Sequence, residues 1–183
     1  MSLLQKIIRT RFATMSRKSA DKLIRSEAEK TLAVGERLGP GLCGQSETVK
    51  QMVGVDEDMR AWNFYQILEH NIIVNRNVTC VVEFLAGDGP PPDAEFDIKH
   101  DVMPQDEVGP EAVAEFETSV KDHLKSIGQL SKLRGTEQIE HTIFGPLDGH
   151  QWHCLFGFHL QLHRRQAEAL EKLFHSSSTV SSR

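Results

Sequence analysis

The stretch from His150 to His175, HQWHCLFGFHLQLHRRQAEALEKLFH, sets the tightest limit on the fold. At roughly 100° per residue, Trp152, Leu155, Phe156, His159, His163, Gln166, Leu170 and Leu173 fall within about 60° of one line down a helix. Arg164, Arg165, Glu168 and Glu171 take the far side. A helix with one apolar stripe must bury it against other elements, yet two histidines one turn apart interrupt this stripe. Burying an imidazole unpaired costs on the order of 1–3 kcal/mol, so both rings need partners. An i, i+4 histidine pair points its rings the same way, the geometry that grips one metal ion. The plain alternative is two core histidines satisfied by backbone carbonyls or water. With nine histidines in the chain, the pair alone does not decide between them.

Three further amphipathic stretches supply the partners. Over residues 17–38, Ala20, Leu23, Ile24, Ala28, Thr31, Leu32 and Leu38 trace one face, and Gly39-Pro40-Gly41 ends the helix. Residues 39–61 read as a loose connection with one short turn around Ser46–Met52. A second helix runs from Phe64 to Ala86, with Asn63 as N-cap and Gln66 at the capping-box position. Its buried side carries Ile67, Val74, Val78, Val81 and Leu85, and His70 stands among them. Between Asp88 and Glu117 the chain holds ten acids against the single Lys99, so this connection reads as solvated surface with His100 exposed on it. Pro110 opens a third helix that buries Val113, Phe116, Val120, Leu124, Ile127 and Leu130, with His123 off that stripe. Residues 131–149 form a loop flanked by His141 and His150, with turns at Gly145-Pro146 and Asp148-Gly149. No strand is expected.

At 183 residues the chain suits one domain able to bury its own core. A net charge of −5 argues against nucleic acid as a partner, because phosphates demand a basic face. No apolar run approaches the ~18 residues of a membrane span, and no membrane partner is expected. Cys43, Cys80 and Cys154 are scattered without a CxxC pair. They read as small buried residues in a reducing, cytoplasmic setting. Residues 1–16 form a basic N-terminal extension leading into the bundle. Five basic residues and no acid stand between Met1 and Ala20, and organelle targeting is the alternative. Residues 176–183 form a serine-rich tail too polar to pack, expected to be disordered.

The sum is an all-α chain, with residues 17–175 as an antiparallel or crossover four-helix bundle. Bundles build metal sites from inward side chains on facing helices. His70 from the second helix and His159 with His163 from the last make three nitrogen ligands. Three ligands leave other positions to water or substrate, the open arrangement of catalytic centres. Imidazole selects zinc, nickel, copper or iron over magnesium or calcium. Gln66 and Gln166, each one turn from a ligand, are candidates to orient those rings. The rival expectation is a non-enzymatic helical scaffold whose histidines are simply buried polar groups.

The second helix, WNFYQILEHNIIVNRN, resembles the W-x-x-x-Q-x-L-x-H pattern of the DinB/YfiT-like metalloenzymes. The later HTIFGPLDGHQWHCLFGFHLQLHRRQ is similar to their H-x-x-F-G-x-L…W…H-x-x-x-H-x-x-Q ending. The resemblance covers about residues 60–183. It implies an up-down-down-up four-helix bundle, with a long crossover between helices two and three. It places the family's metal ligands on His70, His159 and His163, with nickel, zinc or iron as the ion. It also implies a small-molecule, thiol-dependent transferase, isomerase or hydrolase chemistry, and homodimers in several members. His141 matches the family's histidine before the Phe-Gly turn, where the expected role is fixing that loop. The basic extension and the 39–61 connection depart from the family, so substrate identity does not carry over.

Overall fold

The computed structural model describes residues 3–93 and 100–180, with side chains of the last helix described as far as Ser176. The basic extension folds as its own helix, α1 (Leu3–Thr14). Ser16 breaks it from α2 (Arg17–Cys43) by capping the new helix, its Oγ accepting from Ser19 N at 3.1 Å. The helix expected to stop at Gly39 resumes after a kink there. Gly39 takes φ 70°, and Pro40, which lacks an N–H to lose, opens the continuation to Cys43.

A single 3₁₀ turn at Glu57–Met59 organises the connection that follows. Arg60 ties it down, donating from Nε to Val49 O at 2.8 Å while Val49 N donates to Arg60 O at 3.0 Å. The segment expected to be loose is thus held in place, and Val49 and Val55 are buried. Helix α3 (Phe64–Leu85) starts on the reciprocal capping box that the sequence announces. Gln66 N donates to Asn63 Oδ1 at 2.9 Å, and Asn63 N donates to Gln66 Oε1 at 3.0 Å. Helix α4 spans Glu111–Gln129. Part of the acidic connection before it, residues 94–99 with Glu95, Asp97 and Lys99, lies outside the described residues; His100 is exposed, as expected.

The expectation of no strand is corrected by a small antiparallel hairpin, β1 (Ile139–His141) with β2 (Gly145–Leu147). Three-residue strands are too short to leave an alternating pattern, and Gly145 at φ 70° supplies the turn. Helix α5 runs from Gly149 to Val180. The tail therefore stays helical past His175, and Ser176 Oγ bonds back to Lys172 O at 2.8 Å. Residues 181–183 of the expected tail lie outside the described residues.

Helix α5 is the central member. It packs against α2 on one flank and α3 on another; α3 also packs against α4, and α1 lies across α5. Ile24, Phe64, Ile67, Leu68, Phe116, Ile127, Phe156, Leu160 and Leu170 are fully buried in the shared core. Each such side chain contributes about 1.5–3 kcal/mol by leaving water. At Gly157 of α5 the side chains of Leu23 and Ile24 from α2 press so closely that a Cβ would stand 3.1 Å from each. Two polar groups cross the same interface: Glu27 of α2, 2% exposed, pairs with Arg164 of α5. Among the described residues, no helix is long and apolar enough to cross a membrane.

Candidate metal centre

His70 sits two turns into α3, and the capping box fixes where that helix begins and hence which way the ring faces. His159 and His163 stand one turn apart on α5, which packs against α3. The three rings converge. His70 Nε2 lies 3.2 Å from His159 Nε2 and 3.1 Å from His163 Nε2, and the three donor atoms all fall within 4.8 Å of one another. Two nitrogens on one tetrahedral cation, each bonded at about 2.0–2.1 Å, stand ~3.3 Å apart. The observed separations match that spacing, and the group could hold a metal ion.

Hydrogen bonds behind the rings fix which nitrogens carry protons. His70 Nδ1 is 2.7 Å from Val102 O, which can only accept, so Nδ1 carries the proton and Nε2 carries a lone pair. Gln166 donates from Nε2 to Met59 O at 2.7 Å, which leaves its Oε1 facing His163 Nδ1 at 2.8 Å. His163 Nδ1 is therefore the donor there, and its Nε2 also presents a lone pair. Two lone pairs thus point at each other across 3.1 Å, an arrangement that a cation between them turns from repulsive to bonding.

Burial reinforces this state. Loss of water pushes the His70 imidazolium down to about 4 and that of His163 down to about 3, and the charge each ring would carry further penalises the His163 cation. His159 is likewise held well below its ordinary value, by burial first and then by His163, His70 and His141. All three rings are neutral ligands near neutral pH. His70 and His163 are buried, and His159 is the least buried residue of the three. Its Nδ1 is buried without a hydrogen-bond partner. Trp62 packs against two of the rings, its centroid 5.0 Å from that of His70 and 6.5 Å from that of His163.

The three supporting residues expected from sequence fall differently. Gln166 bonds the His163 ring, as the orienting role would require. Gln66 has other partners: its Oε1 is used by the capping box, and its Nε2 donates to Gln105 O at 3.2 Å. One helical turn of separation along α3 leaves its side chain at the helix start. His141 fixes its turn, Nδ1 accepting from Ile143 N at 3.1 Å and Phe144 N at 3.4 Å, and its ring packs 5.2 Å from Trp152.

A second polar chain escaped the sequence reading. Thr79 Oγ1 of α3 lies 2.8 Å from His123 Nδ1 of α4, and His123 Nε2 lies 2.9 Å from His153 Nδ1 of α5. His153 Nε2 then stands 3.0 Å from Asp21 Oδ1 of α2. One residue from each of four helices joins this pin, and both histidines are fully buried. His123, expected off the apolar stripe, belongs to it. Phe116, Val120, His123, Ile127 and Leu130 follow a four-three-four-three spacing that Leu124, only partly buried, does not share. Of the cysteines expected to be buried, Cys43 and Cys154 are, whereas Cys80 is exposed.

Comparison of the chain with family models, with curated proteins and with solved structures finds no match.

Proposed function

We propose that this chain is a metal-dependent enzyme of the DinB/YfiT-like kind, with one nickel, zinc or iron ion held by His70, His159 and His163. The observation that carries the reading is the pair of lone pairs on His70 Nε2 and His163 Nε2, set 3.1 Å apart by partners that leave no other proton arrangement. The family's up-down-down-up order of four helices is part of the proposal. Support comes from the long 86–110 connection, which is ample to return along the bundle between α3 and α4.

When bound, the ion supplies Lewis acidity to a thiol or water, the nucleophile of a transferase or hydrolase acting on a small molecule. The chain's own residues do the rest. Val102 O and Gln166 lock two rings in the ligating tautomer, and burial keeps all three rings unprotonated so that protons do not compete for them. Trp62, packed against two of the rings, helps to exclude water from them. As in several members of that family, a homodimer is the proposed assembly.

The test is a screen for transfer of low-molecular-weight thiols and for hydrolysis, run on protein loaded separately with each of the three ions and on chelated protein. Activity that requires the ion and is lost in His159→Ala is expected. Metal-free protein as active as loaded protein, or a His159→Gln/His163→Leu variant of unchanged metal content and equal or greater stability, would return the chain to the scaffold reading.

A further inference from the structure

The charge of the chain is divided unevenly. Lys6, Arg9, Arg11, Arg17 and Lys18 stand before the first acid, Asp21, although the whole chain carries −5. Helix α1 holds Lys6, Arg9 and Arg11 of this stretch in a fixed pose, and Arg17 and Lys18 open α2. Phe12 is buried against α5, Arg9 donates to Phe144 O at 2.9 Å and Pro146 O at 3.1 Å, and Arg134 donates to Ala13 O at 2.6 Å. His150 Nε2 adds a contact to Met15 O at 2.8 Å.

Beside the side that turns Ile8 and Phe12 inward, the same helix presents an exposed apolar strip, and Lys6 and Thr10 take the face beyond it. Leu3 is 75% exposed, Leu4 53% and Ile7 57%. At about 100° per residue these three lie within ~100° of arc, with Arg11 further along that strip and Lys6 beyond its edge. Lys6, Arg11 and Lys18 are all exposed. Ile143, 55% exposed, sits on the turn of the hairpin that Arg9 grips and adds a fourth apolar side chain at this end of the molecule. These are four of the five large exposed apolar side chains among the described residues. Among the described residues no helix is long and apolar enough to cross a bilayer, but α1 has the composition of one that lies on it.

We infer that the exposed strip of α1 docks the folded protein on an anionic phospholipid surface, Leu3, Leu4 and Ile7 entering the headgroup boundary while Lys6 and Arg11 meet lipid phosphates. An apolar stripe flanked by lysine and arginine is the pattern of helices that lie in a membrane interface. Opposite charge selects the occupant, because the remainder of the chain is acidic and is itself repelled by such a surface. A second copy of this chain would have to bring acidic side chains to the same patch, and it would bury the stripe instead of inserting it.

The experiment is co-sedimentation of the full folded chain with vesicles of phosphatidylcholine alone and of three parts phosphatidylcholine to one part phosphatidylserine. At roughly fivefold per basic side chain, Lys6 and Arg11 predict on the order of 25-fold tighter partition onto the anionic vesicles, weakened by high salt. Leu3→Asp/Ile7→Asp, at exposed positions that leave the core intact, abolishes binding, and Lys6→Glu/Arg11→Glu reduces it even where the apolar face is kept. Circular dichroism confirms that the variants are folded. Equal partition onto the two vesicle types, no binding to either, or binding indifferent to the Leu3 and Ile7 changes overturns the inference. So does a dimer in sedimentation velocity that the Leu3→Asp/Ile7→Asp variant dissociates.

Discussion

Replacing Gln166 by leucine tests how the ligand set is held. The substitution keeps the side-chain volume near native but removes the acceptor that faces His163 Nδ1 at 2.8 Å and the donor that reaches Met59 O at 2.7 Å. Nothing then fixes the His163 tautomer, and its Nδ1 proton is left in a buried site without a partner. Partners that orient a metal-bound histidine typically contribute 10–100-fold in affinity. Gln166→Leu is therefore expected to weaken zinc binding by about 1.4–2.8 kcal/mol, at 1.4 kcal/mol per tenfold. Competition against a chromophoric chelator at neutral pH reads the difference directly. Gln166→Glu keeps an acceptor toward His163 and recovers most of the lost affinity, which separates the orienting bond from general damage to the core. Zinc affinity of Gln166→Leu within about twofold of the parent would refute the reasoning, because the bond would then be incidental to ligation.

Acid should destabilise the metal-free protein. Burial holds His70 and His153 at about 4 and His163 at about 3, against an ordinary 6.5, so the unfolded chain takes up protons first as pH falls. Stability is complete above about 6.5 and declines from there toward about 4, by up to ~1.4 kcal/mol per pH unit for each such group. Urea melts at a series of pH values measure this, and a flat profile between 6.5 and 4 contradicts it. In the cross-bundle pin, His123→Leu strands Thr79 and His153 and should cost roughly 1–3 kcal/mol. The double change His123→Leu/His153→Leu should cost less than the sum of the singles, and strict additivity in denaturant melts would argue against coupling. Gly54→Ala forces a side chain at φ 79° to within 2.6 Å of Leu162 Cδ1. A loss of about 1–3 kcal/mol is expected by thermal melting, and an unchanged midpoint would show that this turn is not held as described.

The histidine set and its helices could be read from sequence because they rest on helical periodicity. His159 and His163 share a face of α5 with Phe156 and Leu170, and His70 shares one with Ile67 and Val78. The capping box at Asn63 was equally legible, since its chemistry is local. Contacts between distant segments were not. Val102 O behind His70, Met59 O behind Gln166 and Asp21 beside His153 are joined only by folding, and each lies at least 32 residues from its partner. The partners of Gln66 were hidden for a related reason: a residue one turn from a ligand faces the same side, but the helix start claimed its side chain first. The hairpin was hidden by its shortness. His123 was misplaced by one position because Leu124 offered the stronger hydrophobic signal in a stripe whose spacing pointed to its neighbour.

X-ray absorption on protein prepared without a polyhistidine tag and loaded with zinc tests the centre itself. Three imidazole nitrogens at about 2.0–2.1 Å and at least one ligand that is not a histidine are predicted, at one ion per chain, with imidazole scattering reduced in His163→Ala. An ion that does not remain bound, or a shell of carboxylate and water oxygens without imidazole, would contradict the account.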